Sequence, residues 1–176
     1  MRTRHHMSAN ISQLASVNSR AEIADDVTIG PFCSVGPHVQ IGSGTQLLNN
    51  VTLMGHVRIG RDNTIYSNAV VGGEPQDLSY RGSDTRVIVG HGNTIREGVT
   101  INRASEKEDG VTQIGNDNFL MANCHVAHDC RLGDRIIMAN GVLLAGHVII
   151  HNHASISGSA CVHHFATIGS YSFISG

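Results

Sequence analysis

The sequence has few aromatic residues and little charge. Aromatic side chains make up 4% of the 176 residues, tryptophan is absent, and Asp, Glu, Lys and Arg together account for 15%. Large rings therefore do not organise the core. The formal net charge of −2 leaves no basic excess that would displace counterions from a phosphate backbone, which argues against nucleic acid as a partner.

Long apolar runs are also missing. No run approaches the roughly 18 apolar residues that a membrane span needs. The first residues lack the apolar stretch of a signal peptide. We therefore expect a cytoplasmic protein without membrane insertion, and we interpret residues 1–10 as an N-terminal tail, either disordered or added, outside the fold.

Closely spaced cysteine pairs are missing too, because no two of the four cysteines form a CxxC motif. That spacing is the usual sign of a zinc or redox site. We predict small buried side chains, and not disulfide bonds, at Cys33, Cys124, Cys130 and Cys161.

What the sequence does contain is an aliphatic residue at every sixth position. The series runs without failure from Ile11 to Val71, restarts at Val89 for three positions, and continues from Ile114 to Ile174. Small or β-branched residues usually stand two positions earlier. A period of six matches neither an amphipathic helix nor a long strand, so the chain must bend at regular intervals.

Hexapeptide periodicity is typical of a parallel β-helix, in which three short sides close a coil of about 18 residues and each coil covers the last. We therefore predict an all-β fold, a parallel β-helix over residues 11–176. The period fails near residues 72–88 and 102–113. These segments are predicted to be loops that project from the prism and carry function, or else insertions that the fold tolerates.

Several histidines share one edge of the predicted prism. His128, Gly146 and His164 are separated by steps of 18, and His147 and His163 lie one residue from that line. Residues 18 apart should stack at about the 4.8 Å spacing of neighbouring strands. His125 belongs to the same coil as His128. The sequence therefore predicts a row of imidazoles beside a glycine.

Three interpretations of this row remain open. The histidines could only bond to corner carbonyls, bind zinc as in hexapeptide-repeat carbonic anhydrases, or include a general base. An extended row without compact ligand spacing argues against zinc, and we predict no metal and no cofactor. Asp129 favours the base, since a carboxylate beside His128 fixes its tautomer, provided that the chain turns a corner there. Cys124 and Cys130 occupy inward positions, so burial is predicted for them and not a nucleophilic role.

The sequence resembles the acyl-carrier-protein-dependent UDP-N-acetylglucosamine O-acyltransferases of the lipid A pathway over nearly all of residues 11–176. The resemblance rests on segments 29–33, 35–39, Gln76-Asp77-Leu78, 95–97, 123–130 and 144–148. It implies a left-handed coil, a homotrimer, and acyl carrier protein and UDP-N-acetylglucosamine as partners. It also implies a further helical domain, so we expect this chain to be a fragment.

The resemblance also assigns roles. His128 would be the general base, Asp129 would orient it, and the N–H of Gly146 would stabilise the thioester oxyanion. The implied substrate-binding residues are Gln76, Asp77, His125, His147, His163 and His164, and Gly176 would belong to the acyl-chain pocket. The chain departs from the family pattern at Ser79, Asn102 and His164. The alternatives are a zinc-dependent enzyme of the carbonic anhydrase type and an inactive trimeric scaffold.

Overall fold

The computed structural model describes residues 9–175, which form 25 short strands joined by tight corners. The strands are β1 (Asn10–Ile11), β2 (Ser16–Val17), β3 (Glu22–Ile23), β4 (Thr28–Ile29), β5 (Ser34–Val35), β6 (His38–Ile41), β7 (Gln46–Leu47), β8 (Thr52–Leu53), β9 (His56–Ile59), β10 (Thr64–Ile65), β11 (Val70–Gly73), β12 (Arg86–Val89), β13 (Thr94–Ile95), β14 (Thr100–Asn102), β15 (Val111–Ile114), β16 (Phe119–Leu120), β17 (His125–Val126), β18 (Arg131–Leu132), β19 (Ile137–Met138), β20 (Leu143–Leu144), β21 (Ile149–Ile150), β22 (Ser155–Ile156), β23 (Cys161–Val162), β24 (Thr167–Ile168) and β25 (Phe173–Ile174).

Every third strand belongs to the same sheet, so the chain winds around a three-sided prism. The first sheet has nine strands, in the order β1-β4-β7-β10-β13-β16-β19-β22-β25; the second and third have eight each and begin with β2 and β3. All the pairings are parallel, and in the uninterrupted part the partners lie 18 residues apart, as with His125 and Leu143. This architecture confirms the predicted all-β, left-handed parallel β-helix.

The prism interior is aliphatic and narrow. Ile65, Ile101 and Leu144, all from the six-residue series, are completely buried, and a buried side chain of this kind contributes about 1.5–3 kcal/mol. Between residues 9 and 175 no phenylalanine or tyrosine side chain is buried. The scarcity of aromatic residues in the sequence is therefore a consequence of the interior's width.

Two loops leave the prism at the same corner. Residues 74–85 connect β11 to β12, and residues 103–110 connect β14 to β15. Both connections run from the second sheet to the third, and the strands on either side resume pairing, as Val87 does with Val57 and with Thr112. We call this corner, between the second and third sheets, the loop edge.

Three of the four cysteines are buried as predicted, but Cys161 is not. It stands immediately before the inward residue Val162 on β23, and its side chain is exposed. The prediction failed because neighbouring residues of a strand point to opposite faces. Residues 1–8 of the predicted tail, and Gly176, lie outside the described residues. Asn10, the last residue of that predicted tail, already pairs with Thr28 in β1.

No helix in the described part of the chain is long and apolar enough to cross a membrane.

Candidate functional site

His128 and Asp129 occupy the loop edge between β17 and β18. Asp129 has a φ of 62°, a left-handed conformation that turns the chain and brings two adjacent side chains together. His128 Nδ1 and Asp129 Oδ2 are 2.8 Å apart. Because an ionised carboxylate only accepts hydrogen bonds, Nδ1 carries the proton, and in the neutral imidazole Nε2 then has the lone pair. The corner that the pairing requires is therefore present.

Asp129 is held by the second loop. Ser105 donates to Oδ2 from its backbone N–H at 3.0 Å and from its hydroxyl at 2.7 Å. The N–H of Asp129 donates to Thr112 Oγ1 at 2.9 Å. Burial by itself raises the pKa of the Asp129 carboxyl, but the hydrogen bonds from His128 and Ser105, with the charge of His147, outweigh it and lower the pKa. The carboxylate next to His128 is thus kept ionised.

Gly146 lies directly against the His128 ring, one coil further along. A Cβ added to Gly146 would be 2.5 Å from Cε1 and 2.7 Å from Nε2 of His128. Only glycine leaves room for the imidazole in this position. Within residues 9–175 no acceptor is assigned to the Gly146 N–H, whereas that of His147 donates to the carbonyl oxygen of His128 at 3.1 Å. The glycine that packs against the His128 ring therefore also carries a backbone N–H with no acceptor among the described residues.

His147 packs against His128 edge to face. The two ring centroids are 5.2 Å apart at 87°, and Phe165 stacks on the other side of His147 at 4.5 Å. His147 Nδ1 bonds to Glu108 Oε1 at 2.7 Å, and its Nε2 is 3.7 Å from Asp129 Oδ2. His147 therefore lies between two carboxylates.

An open groove of about 350 Å³ runs past the base along the second sheet. Gln76, His125, His128, Gly146 and His164 line it, together with apolar side chains such as that of Leu143. A hydrogen bond of 2.7 Å joins His125 Nδ1 to Thr100 Oγ1. Burial, and to a lesser extent the charge of His128, lower the pKa of His125. His125 is therefore a neutral donor or acceptor facing the groove.

Asp77 and His163, which were also predicted to belong to the site, are not in the lining of this groove. Asp77 bonds to Lys107 Nζ at 2.6 Å and to the N–H and hydroxyl of Ser79, and these contacts, with Lys107 the largest, lower its pKa. His163 is exposed and contacts His164. Asp77 therefore joins the first loop to the second. Gly176, the predicted residue of the acyl-chain pocket, is outside the described residues.

Sequence reasoning missed four residues of the second loop or its end. Ser105, Lys107, Glu108 and Thr112 bind Asp129, Asp77 and His147. The loop has no period from which neighbours follow, so spacing could not have found these contacts. The one signal was the density of polar residues in 102–113.

The histidines are more compact than the predicted row. His128, Asp129 and His147 each offer one atom that could bind a metal ion, and these three atoms lie within 4.8 Å of one another. The row becomes compact because the left-handed corner turns Asp129 toward both rings. Hydrogen bonds already join His128 Nδ1 to Asp129 and His147 Nδ1 to Glu108, and a metal ion would have to replace them.

The flanking cysteines are unsuited to nucleophilic chemistry. Cys124 and Cys130 are buried, and burial raises the pKa of the Cys130 thiol to about 12. A larger groove of about 620 Å³ lies over the third sheet near Ile23 and Ile59, away from the base. The smaller groove is therefore the candidate active site, because His128 and Gly146 line it.

Comparisons with known sequences agree with the repeat. The bacterial transferase hexapeptide (six repeats) family matches residues 20–53, 38–73 and 112–146, which together cover half of the chain. A relative from Halorhodospira halophila, an acyl-(acyl-carrier-protein)–UDP-N-acetylglucosamine O-acyltransferase, is 54% identical over 90% of this chain and 62% of its own length. Another of that name, from Thermodesulfovibrio yellowstonii, is 47% identical over 77% of this chain and 53% of its own. The chain thus spans little more than half the length of these curated relatives.

Solved structures give the same result. The UDP-N-acetylglucosamine acyltransferase from Campylobacter jejuni superposes with a TM-score of 0.92 at 37% identity, over 95% of this chain and 65% of that one. The enzyme from Francisella novicida gives a TM-score of 0.91 at 43% identity, over 93% and 59%. The similarity therefore extends over nearly all of this chain.

Proposed function

Because the chain belongs to the bacterial transferase hexapeptide family, we propose that it is the β-helical part of an acyltransferase. The reaction is transfer of a 3-hydroxyacyl group from acyl carrier protein to the 3-hydroxyl of UDP-N-acetylglucosamine, the first step of lipid A synthesis. The names of the relatives support both substrates. The single observation that carries the chemistry is the His128–Asp129 pair against Gly146.

His128 acts as the general base. Its Nδ1–H donates to the buried Asp129 carboxylate, so Nε2 is the nitrogen free to take a proton. As the sugar hydroxyl attacks the thioester carbon, its proton passes to Nε2. The resulting imidazolium is stabilised by Asp129 and returns the proton to the departing thiolate. Such proton transfer contributes about 10²–10⁴-fold to a rate.

Gly146 supplies the oxyanion contact. Its backbone packs against the His128 ring, and its N–H has no acceptor among the described residues. A preorganised donor of this kind lowers the barrier by a few kcal/mol, about 2.7–4, because it needs no reorientation as charge develops. An oxyanion bound by this N–H would hold the thioester carbon close to the hydroxyl that His128 deprotonates.

The groove supplies binding groups for the acceptor. Gln76, His125 and His164 line the groove beside the base, and the ring of His147 packs against that of His128. We assign Asp77 and His163, which follow and precede the lining residues Gln76 and His164 in the chain, to the same set of substrate-binding residues. The proposed reaction places the protein in the cytoplasm, where its carrier protein and sugar nucleotide occur.

Product formation tests this function. The protein, expressed from its complete coding sequence, is incubated with a 3-hydroxyacyl carrier protein and UDP-N-acetylglucosamine, and the sugar nucleotide is analysed by mass spectrometry. We expect the mass of one 3-hydroxyacyl group to be added, with release of the free carrier thiol. UDP-glucose is the control acceptor. An unmodified UDP-N-acetylglucosamine in a fully folded preparation would contradict the proposal.

The same assay separates acyl transfer from zinc chemistry. The donor atoms of His128, Asp129 and His147 are close enough for a metal ion, so the protein is also assayed after dialysis against EDTA. We expect an unchanged rate, because the proposed steps use only the hydrogen-bonded pair and a backbone N–H. Loss of the rate with recovery on adding zinc would show instead that the transfer itself depends on a zinc ion.

A further inference from the structure

Glu108 is the one acidic side chain of the second loop that reaches a histidine of the site in the described structure. Asp109, the next residue, instead pairs with Arg131, and Glu106 accepts from Ser83 and from the N–H of Arg81. Glu108 Oε1 is 2.7 Å from His147 Nδ1. Its side chain is 46% exposed, whereas that of His147 is only 4% exposed. The contact therefore joins a solvent-facing loop to a buried ring.

His147 transmits this contact to the pair that contains the base. Its ring is fixed by Phe165 on one face and meets His128 edge to face. Its Nε2 points toward Asp129 Oδ2 at 3.7 Å, and that same oxygen accepts from His128 Nδ1. A chain of contacts thus runs from Glu108 through His147 and Asp129 to His128.

Glu108 also decides which nitrogen of His147 carries the proton. A carboxylate next to Nδ1 requires a donor there, because it has only lone pairs to offer. The hydrogen bond at one ring nitrogen sets the tautomer at the other. Without Glu108, the neutral form of His147 gains most by placing its proton on Nε2, toward Asp129. The ring would then compete with His128 for the carboxylate oxygen that orients the base.

We propose that Glu108 is a positioning residue: by accepting a hydrogen bond from His147 Nδ1, it keeps His147 from withdrawing Asp129 from His128. The inference rests on the proposed acyl transfer and deepens it, since it assigns the orientation of the base to a residue outside the groove. Glu108 itself does not contact the substrate groove, whose lining contains no residue of the second loop.

The test combines nitrogen NMR of the histidine side chains with steady-state kinetics. In the unmodified protein we expect a protonated Nδ1 at His147. In Glu108→Ala that proton should move to Nε2, and kcat should fall by about tenfold, a common loss for an orienting partner of a histidine, with KM within about twofold. In Glu108→Gln the amide oxygen replaces the acceptor, so most of kcat should return.

Asp109→Ala is the matched control, because it removes a neighbouring carboxylate that binds an arginine. We expect it to leave the His147 tautomer unchanged. An unaltered tautomer in Glu108→Ala would overturn the proposal, as would an unaltered kcat. The NMR result does not require turnover. If the unmodified protein transfers no acyl group while the tautomer still changes, the proposed function fails and the contact from Glu108 to His147 stands.

Discussion

At the scale of single residues, the site depends on non-glycine residues in a conformation that usually favours glycine. Asp129, His147 and Phe165 stack along the loop edge with φ of 62°, 63° and 61°. Each such residue costs about 1–2 kcal/mol relative to an ordinary conformation. The benefit is chemical, because the sharp turn lets Asp129 bond to the residue directly before it.

Ser105→Ala should destabilise the protein in a pH-dependent way. The variant removes the hydroxyl donor to the buried Asp129 carboxylate, and we expect a loss of about 1–3 kcal/mol at pH 7. A carboxyl whose folded pKa is lowered stabilises the fold above its unfolded pKa of about 3.9 and ceases to do so as pH falls through the folded value.

The measurement is urea unfolding of both proteins at pH 7 and pH 3. The difference in free energy of unfolding should be full at pH 7 and smaller at pH 3. Ser170→Ala, at an exposed serine, is the control and should match the unmodified protein. An equal difference at both pH values would show that Ser105 acts otherwise than through the charge of Asp129.

Gly146→Ala should displace the base. The new Cβ would lie 2.5 Å from His128 Cε1, which is closer than carbon atoms approach one another, so the imidazole must move. We expect kcat to fall by about 10²-fold, the loss that a shift of 1 Å at a reacting group produces. Gly169→Ala, whose Cβ would be 3.5 Å from Ser172 Oγ, is the control. Equal rates for the two variants would show that the reaction does not require a glycine at position 146.

At the scale of elements, the sequence predicts the strands much better than the loops. Each inward residue from Ile11 to Ile65 and from Ile114 to Ile174 falls at the end of a strand, because the period itself encodes the coil. The predicted loops near 72–88 and 102–113 compare with connections at 74–85 and 103–110. Their contacts with the site depend on single side chains without a repeat, so no pattern could reveal Ser105 or Glu108.

Removing the first loop should abolish transfer and leave the prism intact. Between β8 and β9 the same corner is turned by only Met54 and Gly55. A variant in which Met-Gly replaces residues 72–85 preserves the register of Val71 and Arg86. We expect acyl transfer to be lost with Gln76 and Asp77.

The fold of that variant is checked by circular dichroism and thermal unfolding. A change of about 1 kcal/mol, or about 2–4 °C in Tm, is expected, since the loop contributes little to the core. Collapse of the strand signal would show instead that the loop is needed for the coil. Full activity of the variant would show that the first loop does not contribute to the active site.

At the scale of the whole molecule, the proposed assembly is a homotrimer. Leu143 and Ile149 are each about 40% exposed, at 43% and 39%, on the second and third sheets next to the loop edge. Aliphatic side chains there suit burial against a neighbouring prism. In size-exclusion chromatography coupled to light scattering, the measured molar mass should be three times that of the 18.8 kDa chain. Leu143→Glu should lower that molar mass. An unmodified protein with the molar mass of one chain would contradict the trimer.

The central claim is that His128 removes the proton from the attacking hydroxyl, and the rate of acyl transfer by His128→Ala tests it most directly. We predict a loss of about 10²–10⁴-fold for this variant, expressed from the complete coding sequence. His151→Ala, at an exposed histidine on another corner, should retain the full rate. A His128→Ala protein that is folded and within threefold of the unmodified rate would contradict the account.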